Sequence, residues 1–250
     1  MKAGTNSPNF SYERRLWRKG YEMIAGADEV GRGSFAGPVV SGCVVFHSEI
    51  AQKLENLMTE KEIVVDDSKK LNGHHREIAG KWILENSLAW GIGIGEVSKI
   101  NKFGIVKATR TAFRMAVIEV NKKLMKTNGK KIEYLFLDAY YVPYIRGLPK
   151  IKSKKNMGHK KGRDSLKALN SSYSRQLAIV KGDQRSISIA AGSIIAKVYR
   201  DNLMTKLGVK YKQYNWGNNK GYGTKEHRSA ITEMGLTKHH RLQFVEKYIT

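Results

Sequence analysis

Short apolar runs separated by glycine-bearing turns set the rhythm of this chain. Residues 23–28 and 39–46 are brief, apolar and bounded by glycines or a polar loop, which predicts two strands. Residues 89–95 alternate with a period of two and place glycine at 91, 93 and 95, predicting a third strand with one bare face. Residues 72–88 read as a helix with Asn72 at its N-cap. A longer helix is predicted from about 104 to 125, because Phe113, Val117, Val120 and Leu124 share one helical face. Residues 132–138 form an apolar strand ending on a carboxylate, and 177–181 another short strand. From Ser186 a helix is predicted to about 207, with Ile187, Ala191, Ile194 and Val198 on one side. This order describes an α/β protein and by itself selects no particular sheet. The polar, basic stretch 213–250 predicts a small helical C-terminal extension, and no internal repeat or domain boundary interrupts the chain.

Charge changes the picture more than composition does. The 250 residues are 41% hydrophobic, enough to bury a core in a single larger domain. Lys and Arg number 45 against 22 Asp and Glu, a formal charge of +23, which points to a polyanionic partner, with nucleic acid the first candidate. A membrane surface fits less well, since no apolar run approaches the ~18 residues of a span and no strongly amphipathic basic helix stands out. The N-terminus lacks the apolar core of a signal peptide, and the single Cys43 excludes an internal disulfide. Both fit a reducing cytoplasm, with Cys43 a small buried side chain in its apolar run.

The chemistry concentrates in residues 25–40. There Asp28 and Glu29 stand between an apolar run and a loop holding Gly31, Arg32 and Gly33. Carboxylates at a strand end suit Mg²⁺ or Mn²⁺, glycines let backbone approach a ligand, and an arginine forks onto phosphate. Neighbouring residues of a strand face opposite ways, so Asp28 and Glu29 serve one site only where the strand ends or bends, for which Gly31 supplies the reason. Asp138 and Asp183 also fall at or just beyond the carboxyl ends of predicted strands, where an open α/β sheet shares a site. Taken singly, Asp138 equally suits a turn and Asp183 a helix cap. Hard oxygen donors favour Mg²⁺ or Mn²⁺ over Zn²⁺. The pairs His74–His75 and His239–His240 lack ligand spacing and read as surface residues or phosphate contacts.

The stretch 25–40 resembles the signature of the type 2 ribonucleases H, ribonuclease HII in particular. Asp67-Ser68-Lys69-Lys70-Leu71 is similar to that family's second block, Gly182-Asp183 with 186–197 to a later one, and Gly221-Tyr222-Gly223-Thr224 with His227 to the last. The resemblance implies a ribonuclease H-like mixed sheet flanked by helices. It implies an endoribonuclease that cuts the RNA strand of RNA–DNA hybrids and the 5′ side of ribonucleotides embedded in duplex DNA. It assigns Asp28, Glu29, Asp138 and Asp183 as the carboxylates of two Mg²⁺ or Mn²⁺ ions, Asp28 bridging them. Gly31, Arg32 and Gly33 fall to the 2′-OH and its flanking phosphates, Tyr222 to the deoxyribose after the ribonucleotide, and Ser68, Lys69 and Lys197 to phosphates.

Two departures stand out. An excess between 150 and 175 opens with seven Lys or Arg in 150–163 and no acid, predicting a basic insertion loop. Ala139 follows Asp138 where the family commonly has glycine, and Gly192 occupies an alanine-rich position. A metal-dependent DNA nuclease on the same sheet and a noncatalytic RNA-binding protein are the competing readings, and the Gly-Arg-Gly loop speaks against the first. The sister family, ribonuclease HIII, normally carries an added N-terminal domain and a lysine in place of Arg32. The motif here begins at Gly26, which leaves no room for that domain.

Overall fold

The computed structural model describes residues 7–149 and 175–249; the basic insertion expected over 150–175 lies, apart from Arg175, outside them. In chain order the elements are α1 (Ser11–Trp17), β1 (Ile24–Val30), β2 (Val39–Val45), α2 (Ile50–Thr59), α3 (Gly73–Asn86), β3 (Ala89–Gly95), α4 (Val97–Phe103), α5 (Ile105–Asn128), β4 (Tyr134–Asp138), β5 (Gln176–Ile179), α6 (Ile187–Lys210), α7 (Trp216–Asn219), α8 (Lys225–Met234) and α9 (Leu242–Val245). Each predicted strand and long helix is present, with ends shifted by a few residues. Asn72 caps α3 as expected, its side chain accepting from His75 N. The short helices α1, α2 and α4 were not anticipated, because seven to ten residues give too few turns to establish a period.

The five strands form one mixed sheet in the order β3-β2-β1-β4-β5. β1 pairs antiparallel with β2 and parallel with β4, and β4 pairs parallel with β5. The carboxyl ends of β1, β4 and β5 therefore share one edge.

Helices cover both faces. α5 lies on one, where Phe113, Ala116, Val117 and Val120 meet Ala25, Ala27, Cys43 and Leu135. The bare face of β3 explains how close it comes: a Cβ on Gly93 would sit 1.9 Å from Ala112 O. α6 lies on the other face with α3, burying Ile187, Ala191, Ile194 and Ile195 against Val44, Phe46 and Ile83. Cys43 is fully buried, as its setting predicted.

α1 fixes the start of α6. The fully buried Glu13 accepts from Ser186 Oγ at 2.6 Å and Ser188 N at 3.1 Å, so a carboxylate holds the first turn beside Asp183. The last helices close around Tyr214, Trp216, Ile231 and Val245, which bury Ala36 and Met204. That small core presses residues 31–38 against α6. Among the described residues no helix is long and apolar enough to cross a membrane.

Candidate active site

The shared sheet edge gathers the acids. Asp28 near the end of β1, Asp138 at the end of β4 and Asp183 after β5 bring their carboxylate oxygens within 4.8 Å of one another. Local bonds fix them: Gly182 N donates to Asp138 Oδ1 at 2.7 Å, and Glu29 N to Asp28 Oδ1 at 2.7 Å. Asp28 points toward α6, where Ser193 bonds its carboxylate. None of the eight ion pairs among the described residues involves these three aspartates.

Glu29 is not in that trio. β1 continues to Val30, so the pleat sends Glu29 to the other face, where it pairs with Arg32 at 3.3 Å. Its Oε2 is buried and has no hydrogen-bond partner among the described residues. It still couples to the cluster electrostatically. Burial, then the charge of Glu29, pushes Asp28 well above the usual carboxylate range. Burial lifts Glu29 to about 7 against the pull of Arg32, and burial with Asp138 and Asp67 lifts Asp183 to about 6. Among the described residues no cation lies within ion-pair distance of the three aspartates, and Glu29 alone meets one, Arg32.

Left-handed backbone accompanies each acid. Gly31 has φ +88° just past β1, Ala139 has φ 42° directly after Asp138, and Lys181 has φ 52° two residues before Asp183. Ala139 thus occupies a conformation that glycine takes without strain, which gives the glycine of the family pattern a physical reason.

The remaining candidates divide by exposure. Arg32 and Gly33 are exposed, and Arg32 lies 5.3 Å from the ring centroid of Tyr140. Lys69 is exposed too. Partial burial disfavours its charge, but Asp67, Asp28, Asp183 and Asp138 outweigh that and raise its pKa. Ser68 differs from a solvent-facing phosphate contact: it is 1% exposed, and its hydroxyl meets Ser193 Oγ at 2.9 Å. It braces the serine that bonds Asp28. Lys197 is half-buried and spends its charge on Asp201 at 2.8 Å, a residue that also meets Arg76. Arg76 in turn donates to Ser68 O and Leu71 O, locking the block that carries Lys69. Tyr222 is exposed, its ring 5.5 Å from the Arg200 guanidinium and 5.9 Å from Lys197 Nζ.

Several contributors went unforeseen. Asp67 is buried beside Asp183 and accepts from Lys69 N and Gln184 Nε2; its only sequence signal was its place opening the second block. Arg200 and Arg241 are fully buried, and among the described residues neither has a carboxylate within ion-pair distance. Arg200 donates to Pro38 O, Lys220 O, Ser34 Oγ and Ala36 O. Arg241 donates to Gly37 O and Arg32 O. Burial, then the charge of Arg200, pushes Arg241 down to about 9. Nothing in an alternating or helical pattern distinguishes these arginines from solvated ones.

His240 corrects the reading of 239–240 as surface residues or phosphate contacts. It is fully buried, because Trp216 and Tyr214 close over it. Thr237 N donates to its Nδ1 at 2.9 Å, so its Nε2 carries the proton toward His227 Nε2 at 3.2 Å. Trp216 Nε1 donates to the same His227 atom at 3.0 Å, and His227 Nδ1 donates to Tyr222 O at 2.9 Å. A chain of neutral imidazoles thus holds the backbone of Tyr222. His74 and His75 are exposed, as expected.

Comparison with known proteins agrees with this arrangement. The Ribonuclease HII family profile matches residues 25–247. Ribonuclease HII of Caldanaerobacter subterraneus subsp. tengcongensis is 38% identical over 95% of this chain and 80% of its own length. That of Wolbachia pipientis subsp. Culex pipiens is 39% identical over 95% of each. Among solved structures, the PCNA:RNase HII complex from Archaeoglobus fulgidus superposes with a TM-score of 0.60 at 21% identity, covering 91% of this chain and 95% of that one. Bst-RNase HIII in complex with Mn²⁺ superposes at 0.56 and 17% identity, covering 90% and 68%. The sheet order, the acids at its edge and these matches together place the chain in the ribonuclease HII family, as an enzyme with the ribonuclease H fold and ribonuclease H activity.

Proposed function

We propose that this chain is a metal-dependent endonuclease that cuts the RNA strand of RNA–DNA hybrids and the 5′ side of ribonucleotides embedded in duplex DNA. The observation that carries the reading is the meeting of Asp28, Asp138 and Asp183 within 4.8 Å beside the Gly31–Arg32–Gly33 turn. The donors suit hard cations. All are carboxylate oxygens, they repel one another, and Glu29 Oε2 is a buried acceptor with no hydrogen-bond partner among the described residues. Asp28, on the central strand, is the residue assigned to both ions, with Glu29, Asp138 and Asp183 completing the set. Bound there, two Mg²⁺ or Mn²⁺ ions supply an activated water and a stabilised leaving oxygen for in-line displacement at phosphorus.

The protein's part is to orient the strand. Gly31, Arg32 and Gly33 are assigned to the 2′-OH and the phosphates beside it, the group that separates RNA from DNA. Lys69, whose charge the nearby acids favour, is assigned to an adjacent phosphate, and Tyr222 to the sugar after the cut. Ser68 and Lys197 support these positions through Ser193 and Asp201. Incubating a DNA duplex containing one ribonucleotide with Mg²⁺ or Mn²⁺ should give a single cut on the 5′ side of that residue. No cut with either ion, or equal cutting of an all-DNA duplex, would overturn the reading.

A further inference from the structure

We propose that a basic cleft at the start of α5 grips the phosphodiester backbone of the duplex away from the cut bond, an inference that rests on the nucleic-acid reading above. Lys99, Lys107, Arg110 and Arg114, with Phe103 and Thr111, line a cleft of about 330 Å³. Lys102 lies beside the lining residue Phe103. From residue 97 to 118 the sequence holds these five cations and no Asp or Glu. None of the five joins an ion pair among the described residues, whereas Lys70, Lys123, Lys130 and Lys197 each have a carboxylate partner.

The cations are organised rather than scattered. Lys107, Arg110 and Arg114 recur at spacings of three and four and so share one face of α5. Lys99 reaches across from α4 to Thr111 Oγ1 at 3.5 Å, and Arg114 is anchored on Pro143 O at 2.6 Å and Tyr144 O at 3.3 Å. Arg110 Nε is buried and has no hydrogen-bond partner among the described residues. Phe103 is 46% exposed, with Lys102 and Lys107 Nζ at 5.2 and 5.6 Å from its ring centroid. Gathering like charges without counter-charge is unfavourable in the free protein, and a line of phosphates relieves it.

Position argues for the same substrate as the acids. Val39 at the start of β2 pairs with Gly95 at the end of β3, and Val40 pairs with Val30 at the end of β1. The helices that follow Gly95 therefore begin at the acidic edge. A run of neighbours joins the two places: Glu29 pairs with Arg32, Arg32 lies over Tyr140, and Tyr140 Oη donates to Val106 O at 3.4 Å. Four cations spread over two helices, with one hydroxyl among them, suit a backbone and not the edges of bases.

The test compares a Lys99→Gln/Lys107→Gln/Arg110→Gln variant with a charge-keeping Lys99→Arg/Lys107→Arg/Arg110→Lys counterpart. Binding is measured on an all-DNA duplex across a salt series, and cleavage on the duplex with one ribonucleotide. The glutamine variant should bind more weakly by on the order of tenfold, its log K against log salt shallower by ~0.9 for each phosphate it no longer neutralises. The counterpart should keep parental affinity and slope, and the cut position should not move in either. Parental binding by the glutamine variant would overturn the cleft, as would equal loss in the charge-keeping variant, which would mark a structural effect. If the parent binds through the cleft yet cuts nothing, the cleft is supported and the catalytic reading falls.

Discussion

A Cβ on Gly31 would lie 2.1 Å from Arg200 Nε, so the turn ending the central strand is moulded onto a buried guanidinium. With φ at +88° the position also disfavours any L side chain. Gly31→Ala should cost on the order of 3 kcal/mol, combining strain with displacement of a four-acceptor arginine. Urea unfolding measures this; a midpoint equal to the parent's would show that Arg200 yields freely and does not set the turn.

Asp28→Asn should abolish cleavage while stabilising the metal-free protein. Burial and Glu29 raise the Asp28 pKa, so the folded chain keeps a proton that the unfolded chain has lost. Metal-free stability therefore falls as pH rises from the ordinary aspartate range through the folded value. Asparagine removes that cost and retains an oxygen for Glu29 N. In EDTA near pH 8 the variant should melt above the parent, and Mg²⁺ or Mn²⁺ should raise the parent's melting temperature more than the variant's. Near-parental turnover, or a lower melting temperature in EDTA, would count against a metal role.

The two buried histidines should make the C-terminal core acid-sensitive. Burial lowers both, His240 to about 4, so an unfolded chain takes up protons below about 6.5 that the folded one refuses. Their contribution is complete above that pH and is lost as pH falls toward 4. The acids of the metal-free site act in the opposite sense, so the comparison is with His240→Gln. That variant should melt lower at pH 7 and lose less than the parent between pH 6.5 and 4.5. Parallel curves would show that His240 protonation is not linked to unfolding.

Tyr222→Ala should slow cleavage at a single embedded ribonucleotide more than cleavage within an all-RNA strand paired to DNA. Only the first always presents a deoxyribose after the cut residue. Arg32→Ala should impair both, if the proposed contact of Arg32 with the 2′-OH and its flanking phosphates holds. Initial rates of the two variants on the two substrates decide the matter: an equal loss for Tyr222→Ala on both would remove it from junction recognition.

Much of this architecture was legible in the chain, for reasons that also explain what was hidden. Period-two alternation revealed β3 and its glycine face, and a four-three-four spacing revealed α5, because burial on one side imposes those periods. The aspartates stood out by ending apolar runs. Asp67 did not, since Asp-Ser-Lys reads as an ordinary polar turn until α6 closes over it. Arg200, Arg241 and His240 were invisible for a related cause: their partners are backbone carbonyls and aromatic rings contributed by distant segments. A residue type that is usually solvated carries no local sign that it is buried. Glu29 was assigned with Asp28 by resemblance, on the condition that the strand ends or bends there; β1 instead runs on to Val30, so Glu29 meets Arg32 and reaches Asp28 and Asp138 through charge.

The acidic trio comes from positions 28 and 138, on β1 and β4, and 183, just after β5, which come together only when β4 and β5 add to β1. Asp28 emerges early in synthesis, but the last aspartate and the helix that seats Asp28 through Ser193 follow after more than two-thirds of the chain. Long-range closures of this kind form late and slowly. A nascent or truncated chain ending before β4 thus possesses one of the three aspartates, yet already carries both helices of the basic cleft. Whatever hold it has on nucleic acid would come without cleavage, and the first appearance of cleavage would report that the fold is closed.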